Sequence, residues 1–238
     1  MDKEGPIAIL GAGGKTGTLV VERAIAAGMQ VRALEHNLPD AADRIEGADY
    51  RQCDVLNDDL EPMLNGCGAV ISALGVAFAP RTAIDPPPLY VDGTARVLRA
   101  MRKTGVDRIA VISAAFVVHQ PSVPSWFRFS VVPAIHKILE DMKRMEGLLE
   151  AERNLKWTAA RPGWLIDLPF SGEAEVEAFT LPQDCFRCRH ADLAEFLVDA
   201  IRDGSWVGQK PAIGKPEADE DESLIALKDE LETMFGNH

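Results

Sequence analysis

The sequence predicts an α/β fold: a doubly wound parallel sheet in a single domain, with an amphipathic helix at the C-terminal end. Three observations carry that expectation. Short apolar runs alternate with amphipathic helical stretches along most of the chain. The first run leads straight into a glycine-rich turn and then a helix. RIAVISAA (108–115) is apolar almost without a break, as a strand covered on both faces should be.

Taken in order, 7–11 reads as the first strand and 16–27 as a helix that stops at Gly28. The second strand is 31–34, the third is YRQCDV (50–55) and the fourth AVISAL (69–74). A helix over 89–103 stops at Gly105, and 108–115 is the fifth strand. FVVHQPSVPSWFRFSVVPAIH (116–136) has three prolines and no clear period, so it reads as a long loop of the kind that carries function. A helix over 137–152 places Ile138, Leu139, Met142, Met145, Leu148 and Leu149 at helical spacing. KWTAARPGWLI (156–166) is a sixth strand running into a loop, and RHADLAEFLVDAIRDG (189–204) a capped helix. DESLIALKDELETMF (221–235) reads as an amphipathic helix, docked on the domain or used in self-association, behind the acidic run EADEDE (217–222). The expected organisation is a domain over 1–215, including the 116–136 loop, and an acidic linker with a helix over 216–238.

Composition narrows the function. The 238 residues are 47% hydrophobic and 26% charged, ordinary for a globular domain. A net charge of −12 argues against nucleic acid or an anionic membrane as partner, because phosphate surfaces attract an excess of Lys and Arg. No apolar run approaches the length of a membrane span, and the N-terminus does not read as a signal peptide. The four cysteines fit a reducing compartment. The expectation is a soluble cytoplasmic protein acting on a small molecule, compatible with a homodimer. CFRC (185–188) with His190 lacks the second ligand pair of a structural zinc site, and strand alternation sends its two cysteines to opposite faces; no metal is expected.

GAGGKTG holds the most specific signal. Gly11, Gly14 and Gly17 are spaced GxxGxxG, not the GxGxxG of the Rossmann fingerprint, whose last position falls on Thr16. The physics is shared: a tight turn, a backbone that approaches pyrophosphate without side chains, and close packing of helix on strand. Gly13, Lys15 and Thr16 complete the turn, and the helix after it aims unpaired N–H groups at phosphate.

With CDV, ISALG, VDGTARVLRAMRKTGVDRIAVISA, KRMEGLLEAERNLKWTAARPG and RHADLAEFLVDAI in the same succession, the chain resembles the atypical short-chain dehydrogenase/reductases over residues 6–213. The NmrA-like and biliverdin-reductase-B (flavin reductase)-like groups are the best match. The resemblance implies that Asp54 and Val55 border the adenine, that Ala73, Leu74 and Gly75 lie along the cofactor, and that Pro162 and Gly163 flank the nicotinamide. The end of the second strand should select the dinucleotide. Glu35 there argues for NAD(H), since an acid hydrogen-bonds the ribose and repels a 2′-phosphate. The resemblance implies NADP(H), many such relatives having an arginine at the position of His36, and Lys15 and Arg32 could meet a 2′-phosphate. The balance leans to NADP(H), with NAD(H) as the alternative.

Working reductases of this superfamily place a Ser or Thr after the fifth strand and Tyr-x-x-x-Lys on the next helix. Ser113 matches the first, and KRME matches Lys143 to the lysine, which would also hold the cofactor ribose. Four residues before Lys143 stands Leu139, which cannot donate a proton. Both tyrosines, Tyr50 and Tyr90, are assigned to other elements. Hydride transfer itself needs no tyrosine, and the biliverdin-reductase-B-like group also lacks it; flavins, quinones and bilin-like systems can take a hydride and then a proton from solvent. His119 and His136 are candidate proton donors, against the alternative of plain surface residues. Trp126, Phe127, Phe129 and Trp164 either line the substrate side or bury the loop against the body. The function expected is NAD(P)H-dependent reduction of an aromatic or conjugated molecule. The alternatives are an NmrA-like NADP(H) sensor without turnover, and an isomerase, epimerase or dehydratase on the same fold.

Overall fold

Residues 5–76, 85–121 and 123–218 are described by the computed structural model of the chain. They form a single Rossmann-type α/β domain. Its main sheet is built from β1 (Ile7–Leu10), β2 (Val31–Glu35), β3 (Ala48–Gln52), β4 (Ala69–Ser72), β5 (Arg108–Ile112), β6 (Lys156–Pro162), β8 (Glu175–Glu177) and β10 (Ala212–Gly214). The order is β3-β2-β1-β4-β5-β6-β10-β8, and every pairing is parallel except β10 with β8. β7 (Trp164–Ile166) and β9 (Arg187–Arg189) make a separate parallel pair beside it.

Central strands such as β1, β4 and β5 are buried along their whole length, which is why they read as unbroken apolar runs. One face is covered by α1 (Lys15–Ala26) and α6 (His190–Arg202), which pack on each other and bury Val20, Ile71 and Leu197. The other face is covered by α3 (Thr94–Thr104) and α5 (His136–Ala151), over Met101, Ile109, Met145 and Leu149. The one-turn α2 (Glu61–Leu64) leads into β4. From β1 the sheet grows toward β2 on one side and β4 on the other. That reversal opens a crevice at the carboxyl ends of the strands, where such sheets bind ligands. Among the described residues, no helix is long and apolar enough to cross a membrane.

Four expectations need correction. The third strand is Ala48–Gln52, two residues earlier than expected, which leaves Cys53, Asp54 and Val55 in the turn after it. The fifth strand ends at Ile112, so Ser113 begins the loop. The 116–136 segment is not a plain loop: it contains α4 (Ser125–Ala134). Pro124 at its N-cap and Pro133 in its last turn break the sequence pattern without breaking the helix. The 89–103 helix opens as a π turn, Leu89–Gly93, before α3 begins. The expected tail helix, 221–235, lies outside the described residues.

Candidate active site

A cavity of about 1030 Å³ crosses the carboxyl ends of the central strands. At one end stand Glu35, His36, Asp54 and Val55, which follow or close β2 and β3. The middle is formed by Gly11, Gly14, Lys15 and Thr16 on one side and Ala73, Leu74 and Gly75 on the other. At the far end are Ser113, Phe116, Pro162, Gly163, Trp164 and His190.

The three glycines of the turn have different reasons. Gly11 sits at φ +73°, and a Cβ there would come within 2.8 Å of the Ala73 carbonyl oxygen. A Cβ on Gly17 would lie 1.9 Å from the Gly11 carbonyl oxygen, so only glycine lets α1 start this close to the turn. At Gly14 the nearest atom to a Cβ would be 3.5 Å away, so the fold has room for a side chain there. Gly13 donates its N–H to Glu35 Oε2 at 2.7 Å, and Glu35 Oε1 accepts the His36 N–H at 2.8 Å. The Glu35 carboxylate therefore ties the end of β2 to the glycine turn.

Asp54 accepts from Leu56 N–H (2.9 Å) and Asn57 Nδ2 (2.8 Å), and these bonds, that of Asn57 foremost, hold its carboxyl below the usual range. His36 Nε2 lies 3.6 Å from Asp54 Oδ2. Lys15 Nζ donates to Asp167 Oδ2 at 2.7 Å, which keeps the Asp167 carboxyl low. Arg32 departs from expectation. Its guanidinium turns from the cavity and donates to the carbonyls of Met63 (2.8 Å) and Asn65 (2.9 Å) and to Cys67 Sγ (3.2 Å). It holds the end of α2 and does not line the cavity.

The far end holds further corrections. Ser113 is buried at the cavity wall and donates its hydroxyl to Glu146 Oε1 at 2.8 Å. Glu146 also accepts from Arg161 Nε (2.8 Å) and Nη2 (2.6 Å), with Lys210 Nζ 3.4 Å away. Ile138, Leu139 and Met142 are the α5 residues that line the cavity, whereas Lys143 points to solvent. The residues at a spacing of four on the cavity side are thus Ile138 and Met142, and neither carries a proton. His119 and His136 are also exposed and away from the cavity; His136 Nδ1 bonds the Pro133 carbonyl at 2.8 Å. Among the four aromatics expected on the substrate side, only Trp164 lines the cavity. Phe127 is fully buried in a cluster with Phe116 (ring centroids 4.8 Å), Phe186 (4.8 Å) and Trp164 (5.1 Å). Trp126 packs edge-on against Phe127 and Phe186, and Phe129 is 76% exposed.

Among the cavity residues that the sequence did not single out for the site are Phe116, Tyr90 in the π turn, and His190 at the start of α6. His190 Nδ1 lies 2.7 Å from Thr16 Oγ1, which joins α6 to the glycine turn. Burial, helped by the Lys15 charge and opposed by Asp167, pushes the imidazole pKa below its usual value. The unfolded chain, with its histidine near 6.5, therefore binds the proton first as pH falls. Stability from neutral His190 is fully present above about pH 6.5 and is lost as pH drops through the lower folded value. Urea midpoints between pH 8 and 5 should fall less steeply in His190→Gln than in the parent chain. Parallel curves would show that His190 does not titrate this way.

The profile of the NAD(P)H-binding family matches residues 11–204, from the first glycine of the turn to just past α6. The chain belongs to the NAD(P)H-binding family. Solved structures with the same fold include a candidate NADH-flavin reductase from Streptococcus pneumoniae TIGR4, with 21% identity, 88% of this chain and 99% of that chain covered, and a TM-score of 0.70. The oxidoreductase ylbE from Lactococcus lactis aligns with 18% identity over 94% and 97% of the two chains, at a TM-score of 0.71. A wide-type short-chain dehydrogenase/reductase from Veillonella parvula DSM 2008, in complex with NADP, aligns with 15% identity over 89% and 95%, at 0.69. The geometry of this NAD(P)H-binding chain fits such a cofactor. Gly14 leaves the cavity open where pyrophosphate would approach, and the first amides of α1, which have no acceptor within the helix, stand at that wall.

Proposed function

We propose that this chain is an NAD(P)H-dependent oxidoreductase of the atypical short-chain type, acting on a flat aromatic, quinone- or flavin-like molecule. The observation that carries the reading is the continuity of one cavity, from the glycine turn to an end walled by Phe116, Ile138, Leu139, Met142 and Trp164. The reduced nicotinamide, when bound, supplies a hydride. The chain supplies the rest. Gly14 and the start of α1 would hold the pyrophosphate, and Pro162, Gly163 and Ser113 would border the ring. The apolar far end receives a conjugated acceptor and keeps water out. α5 presents Ile138 and Met142 where a Tyr and a Lys would stand, which suits acceptors that collect their proton from solvent.

The carboxylates of Glu35 and Asp54 at the adenosine end, together with the Arg32 guanidinium held at α2, support NADH as the preferred donor, against the leaning drawn from the resemblance. The four cysteines, all buried, support a reducing cytoplasmic setting, and the net charge of −12 supports a small molecule over nucleic acid or membrane as partner. A second reading, a cofactor-binding sensor without turnover, is favoured by the same apolar face of α5.

Oxidation of NADH and of NADPH, followed at 340 nm with FMN and menadione as acceptors, separates the readings. Acceptor-dependent oxidation is expected, with kcat/KM for NADH at least about tenfold above NADPH. Such a preference corresponds to about 1.4 kcal/mol. Tight cofactor binding with no oxidation would favour the sensor. No cofactor binding would overturn both.

A further inference from the structure

The missing tyrosine has a counterpart on another element. Tyr90 sits in the π turn Leu89–Gly93, a local irregularity that is frequent at functional sites. The turn is fixed by α5, because the Asp141 carboxylate accepts the N–H groups of Tyr90 (3.2 Å) and Val91 (3.3 Å). The ring packs into the core beneath α5, only 6% of the residue exposed, and lines the cavity. Its oxygen accepts the Val76 N–H at 3.4 Å and would lie 3.9 Å from a Cβ on Gly75, two residues that also line the cavity. None of the described residues accepts the hydroxyl proton.

We infer that the Tyr90 hydroxyl is the hydrogen-bond donor that receives the oxygen of the acceptor where Gly75 and Val76 line this cavity. The inference rests on the oxidoreductase reading for the kind of acceptor and deepens it by naming a carbonyl or quinone oxygen as the group recognised. A buried O–H with its lone pair occupied and its proton unplaced costs free energy until an acceptor arrives, so a ligand oxygen there is favoured over an apolar group. Burial, reinforced by the Asp141 charge and opposed by the Val76 N–H, pushes the Tyr90 pKa up to about 12. The phenol therefore stays protonated through the working range. No bond to hydrogen breaks at Tyr90: the hydroxyl stabilises negative charge as it develops on the acceptor oxygen, and the proton that completes reduction comes from water.

The test uses two flat probes of matched shape, menadione and 2-methylnaphthalene, which lacks the oxygens. Each is titrated against the full chain and Tyr90→Phe without cofactor, by quenching of tryptophan fluorescence, since Trp164 lines the cavity. Tyr90→Phe should weaken menadione about 5- to 10-fold, the worth of one neutral hydrogen bond, and leave 2-methylnaphthalene unchanged. Equal effects on both probes, or none on either, would overturn the inference. So would a parent chain that binds the two alike. Turnover is read separately. A menadione-selective loss in a chain that never oxidises NADH would keep Tyr90 as the recognition group and remove the oxidoreductase reading. Thermal midpoints of the two proteins show that Tyr90→Phe is folded.

Discussion

Gly17→Ala is expected to abolish cofactor binding and to destabilise the domain by about 3 kcal/mol, the upper part of the usual range for forced overpacking. The new methyl carbon would stand 1.9 Å from the Gly11 carbonyl oxygen, 2.8 Å from its carbon and 3.0 Å from the Ala12 Cα. All three are backbone atoms of the turn, so no side chain can swing aside to make room. Relief requires α1 to move away from β1 or the turn to open. Either motion disturbs the wall at Gly14 and Thr16 and the bond that holds Gly13 to Glu35. Gly14→Ala is the control that separates fold from function. Its Cβ would meet only the Gly11 oxygen at 3.5 Å, an ordinary contact, while facing the cavity. Urea unfolding should leave Gly14→Ala within about 1 kcal/mol of the parent, allowing for its altered helix cap. NADH fluorescence titration should show affinity lost in both variants. A Gly17→Ala chain with parental stability and affinity would contradict the packing described for the turn.

The opening of the fold was legible because its signals are local. An apolar run, a GxxGxxG turn and a helix ended by glycine all lie within 7–28, and β1, α1 and β2 appear within two residues of their expected bounds. α4 stayed hidden because its apolar residues Trp126, Phe127, Phe129, Val131 and Val132 run around the helix rather than along one face. β8, β9 and β10 are three residues each, too short to carry a period. In the site, one residue of helical register decided the lysine. Each step along an α-helix turns the side chain by about 100°, so assigning Lys143 instead of Met142 exchanges solvent for the cavity wall. Tyr90 and His190 were visible as residues but not as neighbours. They reach the cavity only because the π turn folds under α5 and α6 begins beside the glycine turn, and no spacing within the chain encodes either approach.

Removal of the Glu146 carboxylate is expected to have the largest effect on stability. Glu146→Ala should cost about 3–5 kcal/mol, because it leaves a buried cation without its partner. Glu146 and Arg161 are 1% and 5% exposed, and Arg161 delivers two bonds to the two carboxylate oxygens. Lys210 keeps a partner in Glu150 at 2.5 Å, whereas Arg161 has no other carboxylate described in its surroundings. Burial alone would raise the Glu146 carboxyl. The hydrogen bonds from Arg161 and Ser113 and the charges of Arg161 and Lys210 outweigh it and hold the group below its usual range. Its contribution is therefore complete above the unfolded value near 4.3 and is lost as pH falls through the lower folded value. Urea unfolding at pH 7 and over a series that runs downward from pH 4 tests both statements. The penalty of Glu146→Ala should be full at pH 7 and smaller in acid, where the parent chain loses the same interaction. Glu146→Leu combined with Arg161→Met should cost less than either single change, since an apolar pair of similar size leaves no buried charge behind. Additive losses in the double variant would mean that the two side chains do not depend on each other, contrary to the bidentate geometry. The pair lies directly behind Ser113 and closes β6 against α5. The same carboxylate that secures the helix thus accepts the hydrogen bond of the serine hydroxyl, which leaves the serine oxygen at the cavity wall free to act only as an acceptor.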